Sequence, residues 1–405
     1  MMSCDHDDDA LLCMAVIYNV CSVFLRRFTE INALMFRPIL LLLSVTLLLA
    51  PCAKAQIHLD IQRWMHDILE CQQQQQQQQK PSDTVSIVMA GDIVMGLNYP
   101  RPLLPPNDGA TLFADMKPFL QNATATFGNL EGVLADCGLP TKHCSDSSNC
   151  YIFRMPERYG RWLAEAGFDC MSIANNHAHD FGDSGMQSSC RVLRANDIAV
   201  AGSEMFCSTD TFTRQGVRFG FIAFAFSNGT NDLRKIDRAV RMVYQLRSQC
   251  DVLVISMHGG AEGRNHSHTP RVTEYFLGEN RGCVYCFAHA MIDAGADVVF
   301  GHGPHVVRGV ELYKGKFIAY SLGNFCTPYR VNLAGISGYA PVVYIRIIRR
   351  SGAFVDGKIL SAVQLGHDGP RCDAAQVVVS EFSRLSKIDF PESPLTIDSD
   401  GSIKR

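Results

Sequence analysis

Residues 301–325, GHGPHVVRGVELYKGKFIAYSLGNF, place two histidines, His302 and His305, in a Gly/Pro turn directly after the short apolar run Ala296–Phe300. Two imidazoles in a proline-fixed turn are poorly explained by core packing, because a buried ring nitrogen needs a partner. Four more polar turns stand upstream: Gly91-Asp92, Asn129-Leu130-Glu131, Asn175-Asn176-His177 and His258-Gly259-Gly260. Each follows a strand-like run: Val85–Ala90, Thr124–Phe127, Asp169–Ile173 and Asp251–Met257. Helical spacing falls between them, at Pro156–Ala166, Asp183–Ala195, Ile236–Gln249 and Arg281–Ala294. Further strand candidates are Ile198–Ala201, Val217–Phe226, Lys316–Ser321 and Pro341–Ile348. Strands alternating with helices predict an α/β layered architecture. In such sheets ligands gather at the carboxyl ends of the strands, and all five polar turns have that phase.

The rest of the chain sets bounds on this reading. A net charge of −3 over 405 residues gives no sign of nucleic acid or an acidic polymer held by bulk charge. Sixteen cysteines are many for a cytosolic enzyme. They read either as partners in an oxidising compartment or as scattered reduced core residues. Met35-Phe36-Arg37-Pro38, the apolar run Ile39–Ala50 and Ala53-Lys54-Ala55 have the form of a secretory signal peptide. On that reading residues 1–34 are an upstream extension and 35–55 a leader or membrane anchor. The alternative keeps 1–34, with Ala10–Leu25 as a second apolar segment; both runs are short of the roughly 20 residues a spanning helix needs. Residues 56–83, with eight glutamines at Gln72–Gln79, read as a solvated linker. One folded domain is expected over 84–405. Its location would be extracytoplasmic: secreted, periplasmic or membrane-anchored.

The residues at the strand ends suit a two-metal hydrolytic centre, which needs carboxylates, imidazoles and an amide oxygen around divalent cations. Asp92 is expected to bind one cation and Glu131 to bridge two. Asn176 would supply an amide oxygen, and His258, His302 and His305 imidazole nitrogens. Manganese, iron and zinc are not distinguishable from this donor set. His177 is the expected proton donor to a leaving oxygen, with Asp180 holding its tautomer. Any single turn among these reads equally well as a turn or helix cap; the ordered set does not.

Other motifs carry less. His266 and His268 read as residues of a solvated loop, with substrate contact as the alternative, and His179 as exposed. His143 stands among Cys137, Cys144 and Cys150, where a disulfide or a zinc site is open. Cys283-x-x-Cys286 lacks the second pair that a zinc site needs, so it is weak as a metal or redox signal. Asn122, Asn228 and Asn265 fit the glycosylation sequon.

The ordered set Gly91-Asp92-Ile-Val-Met-Gly96, Asn129-Leu-Glu131, Ala174-Asn-Asn-His177-x-x-Asp180-x-Gly182, His258-Gly-Gly-x-Glu262, Gly301-His-x-Pro-His305 and Tyr320-Ser-Leu-Gly-Asn-Phe325 resembles the bacterial capsule-synthesis protein CapA family. The resemblance covers about residues 84–350. The family is associated with poly-γ-glutamate capsule biosynthesis and is similar to calcineurin-like metallophosphoesterases. It implies a four-layer α/β/β/α sandwich, a metal-dependent site acting on an anionic polymer or a phosphoester, and substrate contacts from Glu262 and Asn324. It also implies membrane-bound polymer synthetase subunits as partners; no phosphate-cradling glycine loop with lysine for ATP is visible here. Three departures from the phosphoesterase pattern stand out. Asp92 is followed by Ile93 and Val94, where those enzymes carry Asp-x-His. Glu131 replaces an aspartate, and the final histidines are two residues apart instead of one. Two functions therefore compete: a metal-dependent hydrolase, and a non-catalytic capsule-assembly or polymer-transport subunit on the same fold.

Overall fold

The apolar run after the glutamine tract forms strand β1, Thr84–Ile93, whose side chains alternate between two cores. Val85, Ile87 and Met89 enter one cluster of buried residues, and Val88 and Ala90 another. A strand buried on both faces this way sits between two layers. A computed structural model describes residues 83–142 and 151–405. The expected extension at 1–34, the leader at 35–55, the linker up to 82 and the loop with His143, Cys144 and Cys150 lie outside the described residues. Pro81–Arg405 is one compact unit. Among the described residues no helix is long and apolar enough to cross a membrane.

Three more strands follow β1 in parallel: β2 (Ala125–Leu130), β3 (Cys170–Ser172) and β4 (Ala199–Ala201). The chain then builds a second sheet from β5 (Thr209–Arg214), β6 (Val217–Ala225), β7 (Val252–His258), β8 (Val298–His302), β9 (Val310–Tyr313) and β10 (Lys316–Ala319). Its order is β9-β10-β8-β7-β6-β5, parallel through β10-β8-β7-β6 and antiparallel at both edges. Lys314 and Gly315 both have positive φ, the requirement of a two-residue hairpin turn between β9 and β10. The chain finally returns to the first sheet with β11 (Asn324–Cys326), β12 (Val342–Ile348), β13 (Phe354–Leu360), β14 (Thr396–Ile397) and β15 (Ser402–Lys404). That sheet runs β14-β15-β13-β12-β1-β2-β3-β4, with β11 joining the carboxyl end of β1 in parallel.

The two sheets face each other. Phe127 of β2 lies at the middle of the shared core, with ring centroids 6.0, 5.5 and 6.1 Å from Phe219, Phe221 and Phe300 of the opposite sheet. Helices α1 (Gly160–Ala166) and α2 (Gly182–Ala195) cover the outer face of the first sheet. Helices α3 (Ile236–Arg247) and α4 (Val284–Ala294) cover the second. The result is the α/β/β/α sandwich that the resemblance implied. A last helix, α5 (Val377–Asp389), closes the open end of the inter-sheet core with Val378, Phe382 and Leu385.

Several boundaries differ from the sequence reading. The run Pro156–Ala166 splits into a 3-10 turn, Glu157–Tyr159, and α1. The helix expected from Arg281 begins at Val284, because Glu279–Gly282 pairs with Glu274–Phe276 as a hairpin and Gly282 turns with φ 82°. Asp92, His258 and His302, expected in turns, are strand residues: hydrogen bonding to a neighbouring strand continues through them.

That pairing is tight where β1 meets β11. A Cβ added to Gly91 would stand 2.1 Å from the Gly323 carbonyl oxygen and 2.8 Å from that of Leu322. Both obstacles are backbone, so the overpacking cost should reach the upper end of about 1–3 kcal/mol. Gly91→Ala is therefore expected to lower the free energy of unfolding by roughly 3 kcal/mol. Denaturant titration checks this, and an unchanged midpoint would contradict the close approach.

Candidate metal centre

Strand register brings the polar residues together. Asp92 pairs with Asn129 across β1 and β2 and with Asn324 across β1 and β11. His302 pairs with His258 across β8 and β7. Both groups end their parallel strands at the same rim of the sandwich, so carboxylates from one sheet meet imidazoles from the other.

Asp92 is fully buried and central. Its Oδ1 accepts a hydrogen bond from Asn129 Nδ2 at 2.8 Å and lies 3.1 Å from His302 Nδ1. Its Oδ2 lies 3.1 Å from His305 Nδ1. The other face of His305 meets Glu131, with Nε2 3.5 Å from Oε1; His258 Nε2 is 3.9 Å from the same oxygen. Donor atoms of Asp92, Glu131 and His305 lie within 4.8 Å of one another. His305 holds φ at 56°, a left-handed conformation that costs a non-glycine residue free energy and gathers at functional sites.

The electrostatics of this cluster follow from burial and mutual charge. Burial pushes Glu131 well above the usual carboxylate range and His258 well below the ordinary imidazole value. Burial also opposes charge on His305, but Glu131 and Asp92 outweigh it and hold that imidazole well above its ordinary value. Burial would raise Asp92 too; the imidazoles of His302 and His305 beside it overcome that and keep the carboxyl low. Glu131 and His305 thus retain protons between the acids of this cluster, where a cation would otherwise offset the charge.

The decisive feature is unmet bonding capacity. Eleven buried side-chain nitrogen or oxygen atoms among the described residues lack a hydrogen-bond partner, and seven of them belong to Glu131, Asn176, His258 and His302. Each such atom costs about 1–3 kcal/mol, and native proteins carry few. Carboxylate oxygens, imidazole nitrogens and an amide oxygen are all ligands for divalent cations. The donor set therefore fits a metal, with Asp92 and His305 completing it.

His177 stands beside this cluster. Its Nδ1 is 2.8 Å from Asp180 Oδ2, its ring stacks on Phe153 at 4.1 Å, and burial pulls it below its ordinary value despite Asp180. Asp180 Oδ2 also accepts the Phe153 N–H at 2.8 Å. A chain of amides ties His177 to the centre. Asn175 Oδ1 accepts the His177 N–H at 3.1 Å, Asn175 Nδ2 donates to Asn129 Oδ1 at 3.3 Å, and Asn129 donates to Asp92. Asn176, His177, Glu262 and His305 line a cleft of about 1160 Å³ above the rim.

Asn324, expected to touch substrate, is instead buried beneath His305. Its Nδ2 donates to the His305 and Ser337 carbonyls at 3.2 and 2.9 Å, and its Oδ1 lies 3.1 Å from His305 Nδ1. It positions the imidazole, because the parallel pairing of β11 with β1 turns it inward. Glu262 does face the cleft, held by Arg281 at 2.6 Å. Sequence reasoning missed Arg281, which is 4% exposed and lies between the rings of Phe226 and Phe276 at 4.2 and 5.3 Å. It also missed Lys142, 3.2 Å from Asp180 Oδ1. Neither stands in a strand-end motif. Asn129 and Asn175 were quoted within motifs without a role. His268 is exposed and pairs with Asp389, and His179, at the wall of the cleft, pairs with Asp183.

A two-sheet sandwich with a carboxylate–imidazole cluster between its sheet ends is the α/β/β/α architecture that the sequence resemblance implied. The chain belongs to the family of the bacterial capsule synthesis protein PGA_cap, whose model matches residues 86–329. It is 27% identical over 266 residues to the capsule biosynthesis protein CapA of Bacillus anthracis, a match covering 61% of this chain and 60% of that protein. It is 27% identical over 258 residues to the PGA biosynthesis protein CapA of Bacillus subtilis (strain 168), covering 60% and 63%. The chain thus spans about three-fifths of the length of these curated relatives. Among solved structures, a novel phosphatase from Mycoplasma pneumoniae superposes with a TM-score of 0.45 at 13% identity, covering 70% of this chain and 95% of that one.

Cations and protons compete for the same lone pairs on Glu131 and His305, both of which hold a proton above its ordinary pKa. Cation binding must therefore release protons, and its stabilising effect must grow as pH rises. The gain in Tm from saturating Mn2+ is expected to be several degrees larger at pH 8 than at pH 6. Equal gains at both values, measured calorimetrically, would contradict the assignment of these ligands.

Proposed function

We propose that this protein is a metal-dependent hydrolase with a phosphoesterase-type site, working outside the cytoplasm in the synthesis of an extracellular anionic polymer. The observation that carries the reading is the buried, unsatisfied donor set of Glu131, Asn176, His258 and His302 around Asp92 and His305. These six residues would hold one or two divalent cations. Bound there, the metal would supply Lewis acidity toward a phosphoryl oxygen and a hydroxide at neutral pH.

The protein's own residues account for the rest. The bond from Nδ1 to Asp180 fixes the ring of His177, which leaves Nε2 to exchange a proton with the leaving oxygen. The amide chain through Asn175 and Asn129 keeps that imidazole in register with Asp92. Glu262 and Arg281 form a charged wall of the cleft, whose volume of about 1160 Å³ suits an extended substrate. The names of the Bacillus relatives support a link to capsule or PGA synthesis, with membrane-bound synthetase subunits as partners. The disulfide at Cys190–Cys207 supports an oxidising, extracytoplasmic location.

A second reading, a non-catalytic assembly or transport subunit, is favoured by one observation. Val94, which stands where phosphoesterases have the histidine of Asp-x-His, is fully buried in an apolar cluster and offers no ligand.

The two readings separate on metal content and turnover of a chromogenic phosphodiester. The hydrolase is expected to hold one to two equivalents of divalent cation. His258→Ala should lose both metal and turnover. His177→Ala should keep the metal while kcat falls by about 10²–10⁴. Metal retained by the wild-type protein with no turnover on phosphomonoesters or phosphodiesters would favour the assembly role.

A further inference from the structure

We propose that Cys283 and Cys286 form a redox-active disulfide that exchanges electrons with a dithiol. In sequence the pair is a lone CxxC. In the structure Cys283 is the N-cap of α4 and Cys286 stands in its first turn, and the two are joined as a disulfide. The backbone N–H of Cys286 donates to Cys283 Sγ at 3.2 Å, one of the amide donors that a helix start leaves without a backbone acceptor. No acidic residue occupies that first turn. Cys286 is exposed and Cys283 half-buried.

These positions differ in kind from those of Cys190 and Cys207, which are each 4% exposed and pack in the outer core of the first sheet. That bridge links residues 17 apart in sequence. The Cys283–Cys286 bridge spans 3 residues, so it closes almost no chain and restrains the unfolded state little. Structural cross-linking does not account for it. Its location does account for an easily reduced bond: a sulfur at a helix N-terminus that already accepts an N–H is stabilised as thiolate, and a stable thiolate leaves readily.

The exchange follows from which sulfur can be reached. A thiolate of the incoming dithiol attacks Cys286 Sγ, the Cys283–Cys286 S–S bond breaks, and Cys283 departs as the thiolate held by the Cys286 N–H. The second thiol of the reductant then attacks its own partner sulfur in the mixed disulfide and releases Cys286. Two electrons and two protons pass to the protein when both thiols are neutral, and the dithiol becomes a disulfide.

The test uses the full chain, equilibrated in graded dithiothreitol, quenched by alkylation and resolved by peptide mass spectrometry. Cys190–Cys207 in the same molecule is the internal reference. The Cys283–Cys286 pair is expected to reduce at a dithiothreitol concentration at least about tenfold lower. In the reduced chain, Cys283 should react with iodoacetamide with a pH midpoint at least about one unit below the ordinary thiol value of 8.5. The same midpoint in Cys286→Ser would assign the thiolate to Cys283, and the wild-type measurement stands if that variant does not fold. Co-reduction of the two bridges, or a midpoint at or above the ordinary value, would overturn the proposal.

Discussion

Burial of ligand atoms without partners is the constraint on which this structure turns. Glu131, His258 and His302 are fully enclosed, yet their carboxylate and ring atoms find no hydrogen-bond partner among the described residues. In a low-dielectric interior an isolated carboxylate is expelled, protonated or matched by positive charge. Here the surrounding chain is arranged for the last outcome. Asn129, Asn175 and Asn324 donate amide hydrogens to fix neighbouring atoms while leaving the inward lone pairs open. The strained backbone of His305 serves the same end, placing its ring between two acids that come from different strands of the first sheet.

The sandwich makes that arrangement possible because each sheet supplies a different kind of polar side chain. β1 and β2 deliver carboxylates; β7 and β8 deliver imidazoles. Parallel strands all end at one rim, so the last residues of strands far apart in sequence become neighbours. The aromatic core around Phe127 holds the sheets together beneath that rim. Close backbone approach at Gly91 and at Gly301, where a Cβ would stand 2.2 Å from the Tyr320 carbonyl oxygen, keeps β1 and β8 tight to their neighbours. A chain of amide hydrogen bonds through Asn129 and Asn175 links Asp92 to the backbone of His177. The relatives associated with capsule and PGA synthesis carry further chain beyond what this one matches.

Strand-end positions were the most legible part of the sequence. Asp92, Glu131, Asn176, His177, His258, His302 and His305 stood out because a polar group after an apolar run breaks the hydrophobic pattern, and the structure brings all seven to one cleft and the cluster beneath it. Arg281 and Lys142 were not legible, since an arginine in a hairpin and a lysine in a loop look like any solvated charge. Asn324 was seen but misplaced, because only the pairing of β11 with β1 shows which way its side chain turns. The edge strands β5 and β9 were missed for a related reason. Their pairing partners, not their own patterns, make them strands.

The sequence alone determined the alternation of strands and helices, the phase of the polar residues at strand ends and the donor chemistry available to a cation. These depend on residue type and local spacing, which one chain carries in full. The tertiary structure alone decided that two sheets face each other, which acid meets which imidazole, and that Asn324 supports His305 from below. Those facts rest on register between strands more than two hundred residues apart, and register is set by packing and hydrogen bonding across the fold, which no local window of residues contains.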